Sequence, residues 1–185
     1  RLFAVQVRGA ERYAAQTRWL YGPSGEAVLA RYPIDPADGK AGPGLAMARS
    51  FTDQKFACPA EALRRLLARH VPVSGYEFVD PDAPLALPAW LFPYDMGAYH
   101  ASELTYVFGR PWAFADPGRF TPEQAALGER MRGLWAGFGH GADWPRDGRV
   151  LVLDPAGDRL SDDFAARHHC DLWATTPFGP VAPAR

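Results

Sequence analysis

Apolar residues return at three- and four-residue steps over several stretches of the chain, which predicts helices, while two short segments carry the apolar runs of strands. Glu11 to Leu20 lacks Pro and Gly and predicts a helix with Tyr13, Ala14, Thr17 and Leu20 on one side. A second helix is predicted from Glu26 to Tyr32, ending before Pro33 because a residue preceding proline avoids the helical region. After a loop rich in Asp, Gly and Pro that runs to Pro43, Leu45 to Phe56 reads as helical. Pro59 suits a helix start, where a missing N–H costs nothing, and the expected helix runs to about Arg69 with Ala62, Leu63, Leu66 and Leu67 as its buried stripe. Thr121 to Phe138 has the clearest helical signature: Thr121 as cap, Pro122 in the first turn, Gln124 at the capping-box position, and Leu127, Met131, Leu134, Trp135 and Phe138 at helical spacing. A last helix is expected from about Asp162 to Trp173, capped by Ser161.

Gly75 to Val79 (GYEFV) is the expected strand of the first half and Val150 to Leu153 (VLVL) that of the second. The latter is apolar at consecutive positions, as a strand covered on both faces would be. Between them Pro81 to Pro93 shows neither period, and loops of such length inside compact domains usually carry function. Helices interspersed with a few strands argue α/β, with an incomplete sheet flanked by helices. The organisation is read as part of one sheet domain over residues 1–176, followed by a Pro- and Ala-rich tail over 177–185.

Composition narrows the partners. Of 185 residues 48% are hydrophobic, ample for a packed core, and the net charge of -1 comes without any run of Lys or Arg. Nucleic acid is therefore not an expected partner, since neutralising phosphates takes clustered positive charge. No apolar run has the length of a membrane span. Cys58 and Cys170 lack the spacing of a zinc ribbon or a redox pair, leaving two buried thiols or one long-range disulfide.

Five histidines could move protons. His70 closes a predicted helix and suits a dipole-capping role, and His140 sits in a Gly-His-Gly turn. His168 and His169, beside Cys170, point in different directions on a helix and have no second ligand cluster, so they read as helix surface, with no metal expected. His100 stands apart, because it follows the long loop after the GYEFV strand, and catalytic groups of α/β folds gather beyond the C-terminal ends of strands. A hydrogen-bonded structural histidine is the plain alternative.

The segment Gly97-Ala98-Tyr99-His100-Ala101-Ser102-Glu103-Leu104-Thr105-Tyr106-Val107-Phe108-Gly109 closely resembles the histidine segment of the type-B carboxylesterases, the family of cholinesterases and bacterial esterases. Further segments resemble that family in order: Tyr32-Pro33, Thr52-Asp53, Phe56-Ala57-Cys58-Pro59, Tyr76-Glu77-Phe78, Phe120-Thr121-Pro122-Glu123, Trp135-Ala136-Gly137-Phe138 and Cys170-Asp171-Leu172-Trp173. The resemblance implies the C-terminal part of an α/β-hydrolase fold and a serine carboxylic-ester hydrolase acting through an acyl-enzyme, without cofactor. It implies His100 as the catalytic base, paired elsewhere with a serine in a Gly-x-Ser-x-Gly elbow and an acid. Neither that elbow nor the family's His-Gly-Gly oxyanion loop occurs in this sequence. Arg1-Leu2-Phe3 looks like the continuation of the family's acid segment, so the chain is expected to need the N-terminal half of the same domain as partner.

Glu103, three residues beyond His100, reads as a support of the His100 loop rather than as the acid, and Trp90, Phe92, Tyr94, Tyr99 and Trp112 read either as anchors of the long loop or as an apolar lining for a small carboxylic ester. The resemblance also implies a bridge between Cys58 and Cys170. A bridge would indicate a secreted or periplasmic protein, free thiols a cytoplasmic one. The alternative function is a non-catalytic, esterase-like adhesion or binding protein, a role for which a retained histidine is unnecessary.

Overall fold

The computed structural model describes residues 7–88, 96–112, 115–141, 144–145 and 147–176. It gathers into two compact units, one from the described residues up to Arg65 and from Ala165 onward, the other from Leu66 to Phe164. Trp90, Phe92 and the 177–185 tail lie outside the described residues.

In the first unit, helix α1 (Ala10–Tyr21) buries Tyr13, Thr17 and Tyr21, one stripe at four-residue spacing. Ala14 and Leu20, expected on that side, are only partly covered. Helix α2 (Gly25–Arg31) stops at Tyr32, as the following proline requires. Gly25 permits the close approach of α2 to α1, because a Cβ there would lie 2.8 Å from the Arg18 Cα. Helix α3 (Gly42–Thr52) begins earlier than the pattern indicated, taking Pro43 into its first turn. It passes through a π-helical turn (Asp53–Ala57) into α4 (Cys58–Leu67).

The stripe expected on α4 is reversed. Leu63, Leu66 and Leu67 are exposed, and the face turned inward carries Cys58 and Glu61. The reason is covalent: Cys58 is bonded to Cys170, with their Cα atoms 5.2 Å apart, and this fixes the rotation of the helix. Glu61 shares that face and is only 6% exposed, but its carboxylate accepts from Arg64 Nε at 2.7 Å and Arg65 Nε at 2.6 Å. The helix expected over 162–173 is also corrected. It is two single turns, α7 (Phe164–Arg167) and α8 (Cys170–Trp173), broken at His169, whose φ of 51° is left-handed. In the first unit α8 delivers Trp173 to a core with Tyr21, Val28, Tyr32 and Cys58. The Trp173 ring lies 5.3 Å from that of Tyr21 and 5.8 Å from that of Tyr32.

The second unit holds a three-stranded sheet, order β1-β2-β3. Strand β1 (Gly75–Phe78) pairs in parallel with β2 (Val150–Leu153), Gly75 opposite Val150 and Phe78 opposite Leu153. Strand β3 (Arg159–Ser161) returns antiparallel to β2 and takes in Ser161, read from sequence as a helix cap. Its Arg159 and Leu160 are exposed, so it carries no apolar run to announce it. Parallel neighbours need a long crossover. This one contains α5 (Glu103–Phe108), ended by Gly109 at a φ of 62°, and α6 (Pro122–Gly139). The capping box expected at the start of α6 is present: Thr121 Oγ1 accepts from Gln124 N, and Gln124 Oε1 accepts from Thr121 N. Tyr106, Leu127, Met131 and Leu153 form the core between these helices and the sheet. This helix-rich architecture with a small mixed sheet is a partial α/β fold.

The Glu61 cluster generates a pH dependence. Burial pushes its carboxyl up, but hydrogen bonds and charge from Arg64 and Arg65 outweigh that and hold it below the ordinary value of 4.5. The unfolded chain then binds the proton more readily, so this contribution is complete above the unfolded value and lost as pH falls through the folded one. Thermal unfolding between about pH 3 and pH 7 should show a falling midpoint on the acid side. Glu61→Gln should flatten that limb, and an equally steep limb in the variant would refute the assignment.

Candidate functional site

The His100 turn is built from both of its neighbours. Where β1 ends, Val79 N still donates to Leu153 O at 3.1 Å, carrying the parallel pairing to the threshold of the long loop. On the far side of that loop Tyr99 is buried to 3% exposure among Ala83, Met96 and Ala115, and its hydroxyl donates to Pro84 O at 3.0 Å. Burial pushes the Tyr99 phenol up to about 12. The Tyr99 carbonyl accepts from Ser102 N at 3.0 Å and from Ser102 Oγ at 2.7 Å, closing a tight turn. Ala101 occupies that turn with a φ of 68°, a left-handed conformation that costs a non-glycine residue of order 1–3 kcal/mol and tends to occur at functional sites. Tyr99 and Ser102 are buried while His100, between them, is exposed. An anchored backbone thus presents an imidazole outward.

Glu103 opens α5 and is half-buried. The Tyr76 phenol is raised by burial and then by the Glu103 charge. Of the two readings of the aromatic residues, Tyr99 in the described structure anchors the loop, and Trp112 is exposed with its backbone bridged to Ala115. His140 caps the end of α6 and is exposed, and the His70 N–H donates to Leu67 O at 2.9 Å beyond the end of α4. Among the described residues no group of three His, Cys, Asp or Glu could hold a metal ion, and no helix is long and apolar enough to cross a membrane.

A buried carboxylate overlooked by sequence reasoning underlies this turn. Asp80, 1% exposed, lies two residues beyond the end of β1. One of its oxygens accepts from Asp82 N at 2.9 Å, the other from Gln124 Nε2 at 2.9 Å and from the Tyr106 hydroxyl. Gln124 Nε2 also donates to Asp82 O at 2.9 Å. The Tyr106 phenol is driven strongly upward by its burial and by Asp80, so it stays a donor.

The first unit has its own buried pair, and here a reading is corrected. His168 is not ordinary helix surface: its Nδ1 lies 2.6 Å from Asp53 Oδ1. The Tyr32 hydroxyl donates to Asp53 Oδ2 at 2.8 Å and accepts from Trp173 Nε1 at 2.7 Å. Tyr32, Asp53, Cys58, Cys170 and Trp173, scattered through separate sequence motifs, therefore meet in one place. The same unit holds a cavity of about 720 Å³ bounded by the disulfide, Pro59, Ala62, Ala166 and Trp173. His100 does not line it.

Residues 23–143 match the family model described as the carboxylesterase family. The chain belongs to the carboxylesterase family. Bile salt-activated lipase of Mus musculus is 34% identical over 95 residues, which cover 50% of this chain and 15% of that protein. The Homo sapiens bile salt-activated lipase is 32% identical over 95 residues, covering 50% of this chain and 12% of the relative. The aligned stretch is thus a small part of the curated relatives' length. Asp80, His100, Tyr106 and Gln124 lie inside the carboxylesterase match, while His168, Cys170 and Trp173 lie beyond its end.

Replacing Tyr32 by Phe removes a hydroxyl that serves both Asp53 and Trp173. Urea unfolding should show a loss of about 1–3 kcal/mol, the usual cost of stranding buried polar partners. A loss below about 0.5 kcal/mol would mean that the network carries little of the unit's stability.

Proposed function

We propose that this chain is the histidine-bearing part of a serine carboxylic-ester hydrolase, with His100 as the general base. The observation that carries the reading is an exposed histidine held between two buried residues, within the stretch that matches the carboxylesterase family. In the proposed mechanism neutral imidazole at His100 removes the proton of a serine hydroxyl as its oxygen attacks the ester carbonyl. The resulting imidazolium returns that proton to the departing alkoxide, leaving an acyl-serine. Water, deprotonated in turn by His100, attacks the acyl carbon, and as the bond to the serine oxygen breaks His100 returns the proton to that oxygen, which frees the carboxylic acid and restores the enzyme.

The serine, the orienting acid and the oxyanion donors come, in this reading, from another part of the same catalytic domain. Surface chemistry supports such a partner. Leu63, Leu66 and Leu67 are exposed at three- and four-residue spacing on α4, an apolar stripe rather than isolated surface positions. The outer edges of β1 and β3 have no strand partner among the described residues. Glu103 is assigned support of the His100 turn, and Trp90 and Phe92 the apolar part of the ester.

The test is hydrolysis of a simple aryl ester by the complete domain and by its His100→Ala variant. Loss of a triad member should lower kcat by at least about a thousandfold. Activity within about tenfold of the parent would exclude His100 as the base. The 185-residue chain alone should be inactive, and hydrolysis by it that disappears in His100→Ala would show it to be a complete enzyme.

A further inference from the structure

We infer that Asp80 is a positioning residue for His100, tying together the two strands of chain that carry the histidine turn. The inference rests on the reading of His100 as the base and extends it to a residue with no assigned role. Its ground is a buried carboxylate whose partners lie on the outgoing limb of the loop, on α5 and in the first turn of α6.

The long loop leaves β1 through Asp80 and Asp82 and comes back through Tyr99 and His100 into α5. Asp80 grips the outgoing limb through Asp82 N and the returning limb through the Tyr106 hydroxyl on α5. Gln124, in the first turn of α6, reaches both Asp80 Oδ2 and Asp82 O through one amide nitrogen. The Gln124 carbonyl is held in turn by Thr121 N at 2.9 Å, so the amide cannot swing away. Two residues beyond Asp82, Pro84 O receives the Tyr99 hydroxyl. His100 is therefore suspended between one attachment at Pro84 and another at Tyr106, and Asp80 joins the two.

The carboxylate form is essential to this arrangement, because every partner is a donor. An amide at position 80 offers one acceptor oxygen and turns its N–H groups against a donor, whichever way it is oriented. Tyr106 also packs face to face with Phe120 at 4.3 Å and against Phe78 at 4.9 Å, so α5 remains buried when the hydrogen bond is lost. The expected consequence is a small shift of the histidine turn rather than unfolding. A base displaced by a fraction of an ångström slows proton transfer more than it weakens binding of the neutral ester.

The experiment compares the complete domain with its Asp80→Asn, Tyr106→Phe and His100→Ala variants, well below the unfolding temperature, with active sites counted from the acyl burst. Asp80→Asn should lower kcat per active site by about tenfold to a hundredfold with KM changed less than about twofold. Tyr106→Phe, which keeps the ring, should move kcat in the same direction by a smaller factor, and it decides the matter if Asp80→Asn does not fold. A lowered unfolding temperature with kcat per active site unchanged in the folded variants would make Asp80 purely structural and overturn the inference. If His100→Ala retains activity, the base assignment fails and this inference falls with it. If His100→Ala is inactive while Asp80→Asn and Tyr106→Phe keep full kcat, only the positioning role fails.

Discussion

A carboxylate with 1% of its surface exposed has to be met by hydrogen-bond donors, and Asp80 is met by a backbone N–H, an amide and a phenol. Supplying them obliges the start of the long loop, the first turn of α6 and the middle of α5 to converge at the C-terminal end of β1. The core of the second unit follows from that convergence. Tyr106 arrives with its ring between Phe78 and Phe120, and α6 lays Leu127 and Met131 against Leu153. Tyr99, tied to Pro84 O, and Ser102, bonded back to the Tyr99 carbonyl, hold the backbone on either side of His100.

The first unit repeats the logic with different partners. Asp53 is buried on the π-helical turn and is answered by Tyr32 and His168, while Trp173 completes the chain of hydrogen bonds through the Tyr32 hydroxyl. The disulfide between Cys58 and Cys170 brings the last described helix to this point across 112 residues of sequence. Closing so long a loop restricts the unfolded chain, an effect of about 4–5 kcal/mol in the chain-entropy account. The carboxylesterase motifs Tyr-Pro, Thr-Asp, Cys-Pro and the terminal Trp thus read as one structural cluster rather than as pieces of chemistry.

How much of this was legible depended on whether the information was local. The capping box of α6, the stop of α2 before Pro33 and the strands at 75–78 and 150–153 are local, and their residues announce them. The inward face of α4 was not, because a disulfide and the Arg-paired Glu61 override the direction that leucine spacing indicates. The break at His169 was equally hidden, since nothing in the residue itself demands a left-handed conformation. Strand β3 lies at the sheet edge with polar and exposed residues, so it lacks the apolar signal of β2. At the candidate site, His100 stood out by resemblance and by its place after a strand. Asp80 did not, for an aspartate in Val-Asp-Pro-Asp reads as a turn residue until the fold surrounds it with donors.

The proposed role of His100 as base requires its imidazole to face a serine carried elsewhere in the domain. The most direct measurement is a crystal structure of the complete domain with its nucleophile trapped by an aryl phosphonate. The account predicts a His100 ring nitrogen within hydrogen-bonding reach, about 2.6–3.2 Å, of the trapped serine oxygen. Another histidine in that place, or a His100 ring directed into solvent away from the adduct, would contradict it.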